Sequence, residues 1–252
     1  MTLLNVVRVQ QRLLRSSRRP LFLFTLYTGL WFIYELIWYS GGLDPTDLAQ
    51  LLSSRVAAGI AAAVAIAWGM MIWRDEGPSL RDYHWSLPVG CSLHDTARVI
   101  GGAMWLMLGV TWYLSLGVLL AGIHGVFSEA VGHVTFPGIL SMYSTALLAY
   151  VFAASISVSV DHPAEWSLGL MLVLFFIILS NSVPFVGDAF THVFADRFGL
   201  MATVFERPAS GSASLAVMRR HTVGNWLMAS VLWSFLMTSL FCVSLQRYRR
   251  FV

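Results

Sequence analysis

Glu35 is the only acid inside a long apolar run of this chain, the run Leu21–Tyr39. A carboxylate in hydrocarbon is costly, so by default such a residue lines a cavity or meets a coupled ion. Asn181, at the end of the run Trp166–Ser182, is the polar residue with which it could share a translocation path. The plainer reading puts Glu35 in the outer part of its run, reaching headgroups or pairing with Asn181. No second buried acid or relay partner accompanies it, whereas a proton-coupled carrier usually shows several.

The densest ionisable group is Arg74, Asp75, Glu76, Arg81, Asp82, Tyr83 and His84, within the polar gap Arg74–Arg98. Two sites there read as helix starts, Ser79 with Asp82 and Ser92 with Asp95. In each, the serine accepts from an early helix N–H while the acid reaches back. They predict two short helices broken at Leu87-Pro88, the second leading into the next apolar run.

Catalytic chemistry finds little footing. The chain has no lysine, so it cannot carry a Gly-x-x-x-x-Gly-Lys phosphate loop, and it has neither a His-Glu-x-x-His zinc site nor a Gly-x-Ser-x-Gly elbow. His84, His94, His124, His133, His162, His192 and His221 all fall in gaps or at the ends of apolar runs. A haem held between helices would need them well inside facing spans. Cys91 and Cys242 lack metal-binding spacing. No catalytic residue, metal or cofactor is therefore expected on this chain. An intramembrane enzyme built on Glu35, His124, His133 and Asn181 is disfavoured by the missing motifs.

The elements that must position these residues are membrane helices. Hydrophobic residues make up 57% of the chain and charged ones 12%, with a mean hydropathy of +0.70. Soluble domains carry about 25% charge. Six apolar runs approach the roughly 20 residues a spanning helix needs: Leu21–Tyr39, Val56–Trp73, Val99–Ile123, Leu140–Val160, Trp166–Ser182 and Val223–Leu245. Arginines cluster before the first run (Arg8, Arg12, Arg15, Arg18, Arg19), in the second gap (Arg74, Arg81, Arg98) and at the end (Arg247, Arg249, Arg250). Basic residues bias short loops toward the cytoplasm, which predicts both termini inside. The net charge of +3 comes mainly from arginines at membrane edges and points to anionic lipid, not nucleic acid. Arg55, Arg197, Arg207, Arg219 and Arg220 run against this topology, although long loops obey the bias weakly.

Residues 1–20 form a separate unit. Arg8, Arg12, Arg15 and Arg19 share one helical face, while Leu3, Val7 and Leu14, with Val6 and Leu13, form an apolar face. That pattern predicts an interfacial helix in the cytoplasmic headgroup layer, retained rather than cleaved. Residues 183–222 predict an outer amphipathic region, with Val186, Phe190, Phe194, Phe198, Met201 and Phe205 at helical spacing. The fold class expected is thus all-α, a polytopic integral membrane protein with six transmembrane helices across residues 21–252.

This organisation resembles the ABC-2 type permease, the membrane subunit of bacterial ABC transporters. The likeness covers nearly the whole chain in architecture. In residues it rests on Leu80-Arg81-Asp82-Tyr83-His84-Trp85-Ser86-Leu87-Pro88-Val89, similar to the family's loop in which a leucine-proline-hydrophobic step precedes the third span. The resemblance implies that loop 74–98 is the coupling element, with Arg74, Asp75, Glu76, Arg81, Asp82, Tyr83 and His84 contacting a cytoplasmic ABC ATPase subunit. ATP and Mg would then belong to that partner. It further implies a second permease copy or related permease, a bacterial inner-membrane location, and export of a hydrophobic or amphipathic substrate. The alternative is a non-transporting membrane scaffold whose charged loop docks a cytoplasmic partner.

Overall fold

The structure is a computed structural model that describes residues 5–9, 29, 55–74, 91–125, 127–128, 136–159, 200–203 and 222–250. All regular structure among the described residues is helical. Four long helices dominate the described residues: α1 (Arg55–Arg74), α2 (Cys91–Ile123), α3 (Phe136–Ser159) and α4 (Val223–Arg250). A helical segment at 5–9 and a 3-10 turn at Leu200–Thr203 complete the description.

Their ends follow from local chemistry. In α3, Pro137 occupies the first turn, where its missing N–H would have had no partner anyway. Thr222 precedes α4 and its hydroxyl accepts from the Asn225 N–H at 3.3 Å, an N-cap. Helix α2 stops where Gly125 takes φ +70° and its N–H bonds back to Gly122 at 3.2 Å. Such a left-handed cap favours a residue with no Cβ.

Among the described residues, three stretches are long and apolar enough to cross a membrane: Leu93–Ile123, Phe136–Ser159 and Val223–Gln246. At 1.5 Å per residue the 24-residue stretches reach ~36 Å, beyond the ~30 Å hydrocarbon layer. They coincide with the third, fourth and sixth expected spans, and α1 coincides with the second. The expected first and fifth spans, and most of regions 1–20 and 183–222, lie outside the described residues. The boundaries differ in an informative way. Helix α2 begins at Cys91 rather than Val99, so the short helix expected after Leu87-Pro88 and the third span are one continuous element. It also starts two residues before a Ser92 N-cap would allow, so Ser92 is not the N-cap. Within region 183–222 the described residues 200–203 are a 3-10 turn, not an α-helical turn.

Helix α3 is the centre of the packing, lying against α1, α4 and α2. Its buried Met142, Ala146, Tyr150, Ala154 and Val158 recur at four-residue spacing. They meet Ala65 and Ile72 of α1, Leu106 and Val110 of α2, and Phe241 and Leu245 of α4. Small residues let the backbones approach, as membrane helices require when no hydrophobic effect drives them together. A Cβ at Gly69 would lie 2.8 Å from the Ala153 Cβ and 2.9 Å from the Tyr150 carbonyl oxygen. Buried Ser141, Ser155 and Ser157 donate to carbonyls of their own helix at 2.7–2.9 Å, so their hydroxyls do not go unpaired in the core.

The outer faces are apolar. Along α2, Ile100, Met104, Leu108 and Trp112 fall four apart and are exposed. On α4, Met228, Val231 and Phe235 are 65–70% exposed. A soluble monomer rarely leaves apolar surface this continuous uncovered, whereas lipid is a suitable solvent for it.

Candidate functional site

The polar chemistry of the bundle gathers where α1 ends and α2 begins. His94, Asp95 and Arg98 are buried on one face of α2, at the three- and four-residue spacing that makes helix neighbours. His94 Nδ1 lies 3.6 Å from Asp95 Oδ1. Arg98 Nε donates to the Ile72 carbonyl at 2.8 Å, and a second guanidinium nitrogen donates to the same oxygen. Ile72 stands in the last turn of α1, where carbonyls have no partner within their own helix. A helix C-terminus is also the negative end of its dipole. The guanidinium therefore satisfies an orphaned acceptor and sits where a cation is favoured.

Within the next turn of α2, two more side chains cross between helices. The Tyr150 hydroxyl of α3 donates to the Val99 carbonyl at 2.9 Å. The Trp68 indole N–H of α1 donates to the Gly102 carbonyl at 2.9 Å. Each acceptor is a mid-helix carbonyl with a second lone pair to offer. Gly102 makes room for the tyrosine, because a Cβ there would overlap the Tyr150 hydroxyl and lie 3.0 Å from Cζ. Tyr150 is wholly buried.

The helical segment at 5–9 packs on the same region. Val6 and Val7 are buried with Ala97, and Leu93 closes against them. These two valines belong to the apolar face expected for residues 1–20. Their contact explains why α2 stays helical upstream of Val99: Leu93 and Ala97 have apolar partners there.

Of the residues singled out from sequence, Arg74 is the last residue of α1. Asp75, Glu76, Arg81, Asp82, Tyr83, His84, Glu35 and Asn181 lie outside the described residues, as does His133. His124 immediately follows α2, at the opposite end from His94. Among the described residues no cluster of His, Cys, Asp and Glu could hold a metal ion. Sequence reasoning counted Arg98 only as a topological charge and did not mark Trp68 or Tyr150. The available signal was Arg98 itself, a cation three residues after an acid at the mouth of an apolar run.

No family model, curated protein or solved structure matches this chain. What the arrangement can do is mechanical: it ties the last turns of α1 and the first turns of α2 to the interior of α3, at the root of a charged segment.

Proposed function

We propose that this chain is the transmembrane permease subunit of an ABC-2 type transporter, moving a hydrophobic or amphipathic substrate outward across a bacterial inner membrane. ATP hydrolysis on a separate ATPase subunit would drive it, with a second permease completing the complex. In this reading the chain has six spans and cytoplasmic termini, residues 1–20 are the interfacial helix, and Arg74, Asp75, Glu76, Arg81, Asp82, Tyr83 and His84 of the 74–98 coupling region contact the ATPase.

The observation that carries the reading is the pairing of a charge-rich segment with a braced base. Asp75, Glu76, Arg81, Asp82, Tyr83 and His84 fall between α1 and α2, and Arg98 ties the last turn of α1 to the first turns of α2. A partner pulling on such a segment moves helices that are already joined. Ligand-driven closure of that partner would bias a two-state bundle. Three apolar helices of membrane-crossing length agree with this reading.

The test is charge reversal in the complex with its co-purified ATPase. Arg81→Glu or Asp82→Arg should retain membrane insertion and ATP hydrolysis while transport of the co-purified cargo, identified by mass spectrometry, is lost. Normal transport by both variants would remove the coupling assignment. Purification without a stoichiometric ATPase would favour the scaffold reading instead.

A further inference from the structure

We propose that Arg98 and Tyr150 are positioning residues that lock the last turns of α1, the first turns of α2 and the interior of α3 into one lever, so that displacement of residues 75–90 tilts the three helices together. This rests on the permease reading for its purpose, but its physical content is independent of any partner. Between residues 98 and 102, little more than one turn of α2, three side-chain bonds leave for other helices: Arg98 to Ile72, Tyr150 to Val99, and Trp68 to Gly102. Two of them reach α1 and one reaches α3.

The bonds differ in what they restrain. Two guanidinium donors on one carbonyl restrain the angle between partners as well as their separation, since the guanidinium is planar. They grip α1 two residues before its end, in the turn that otherwise frays first. Without that grip, a pull on residues 75–90 would unwind the last turn of α1 and be absorbed there. Tyr150 passes the motion on to the central helix. Its ring is enclosed, its hydroxyl is bonded to α2, and its backbone oxygen lies against Gly69 of α1. The tyrosine thus touches both other members of the lever. A second α2–α3 bond, between the Thr111 and Tyr143 hydroxyls at 2.9 Å, lies three turns further along and is exposed. It serves as an internal control.

Spin-label distances in lipid nanodiscs test the lever without ATPase or cargo. In a Cys91→Ser, Cys242→Ser background, labels replace exposed Ala67 and Ile100, reporting α1 against α2, or exposed Ile100 and Leu147, reporting α2 against α3. Arg98→Lys keeps the charge but not the fork. It should broaden the Ala67–Ile100 distribution at least twofold with little change in melting temperature. Tyr150→Phe should broaden the Ile100–Leu147 distribution likewise, and Thr111→Val should broaden neither. Parental widths in both Arg98→Lys and Tyr150→Phe overturn the proposal, as does equal broadening by Thr111→Val. If Arg98→Lys does not insert, the isosteric Tyr150→Phe decides alone. Failure here leaves the Arg81 and Asp82 test of the permease reading untouched, and failure there leaves these widths as they are.

Discussion

The contact between Gly102 and Tyr150 makes a quantitative prediction about coupled substitutions. Adding a methyl group at Gly102 places a Cβ on the Tyr150 hydroxyl, 3.0 Å from Cζ and 3.3 Å from the Ile72 Cδ1. The ring is fully enclosed and cannot swing to the surface, so either helix α2 or helix α3 must shift. Overpacking of this kind costs about 1–3 kcal/mol. Displacing the hydroxyl from Val99 adds about 1 kcal/mol. Alanine regains up to about 1 kcal/mol of helix propensity over glycine. The net expectation for Gly102→Ala is a loss of roughly 1–3 kcal/mol. Tyr150→Phe alone should cost about 0.5–1 kcal/mol, because the Val99 carbonyl lies within α2 and is not orphaned.

With the hydroxyl gone, the alanine methyl meets only Cζ and Ile72, contacts that a shift of tenths of an ångström relieves. The double variant should therefore be more stable than the sum of the singles by about 1–2 kcal/mol. Reversible unfolding in bicelles, followed by far-ultraviolet circular dichroism for all four proteins, measures that difference. Additivity within about 0.5 kcal/mol, the usual limit for independent sites, would refute the packing argument. So would a Gly102→Ala protein more stable than its parent.

Two further outcomes follow from the helix ends and outer faces. Gly125→Ala should lower stability by about 1 kcal/mol, since φ +70° at the end of α2 is costly for an L side chain; unfolding midpoints check this. Phe235→Asp on the uncovered face of α4 should reduce insertion of this helix by about 3 kcal/mol, read from a glycosylation-reporter assay, whereas unchanged insertion would mean that this face does not meet lipid.

Much of the architecture was legible in one dimension. A run of apolar residues of bilayer length has few options besides a helix, because every backbone group must be paired within hydrocarbon. Hence the second expected span agrees closely with α1, and the sixth begins where α4 begins, at Val223. The errors lie at ends. Cys91 to Arg98 read as a separate short helix capped at Ser92, because polar residues outnumber apolar ones there, yet Val6, Val7, Leu93 and Ala97 bury one another and make it one element with the span, α2. Nothing in one dimension marked Gly102 as the space that admits Tyr150.

The sequence by itself determined an all-helical chain, its apolar runs and the charged segment between two of them, since these depend on composition over about 20 residues. Only the tertiary structure decided what Arg98 does. Its partner, Ile72, is 26 residues away, and a carbonyl oxygen leaves no mark in the residue type that bears it. The same holds for Tyr150 and Val99, 51 residues apart. Side chain–backbone bonds across helices are set by packing geometry, and that geometry exists only once the helices have met.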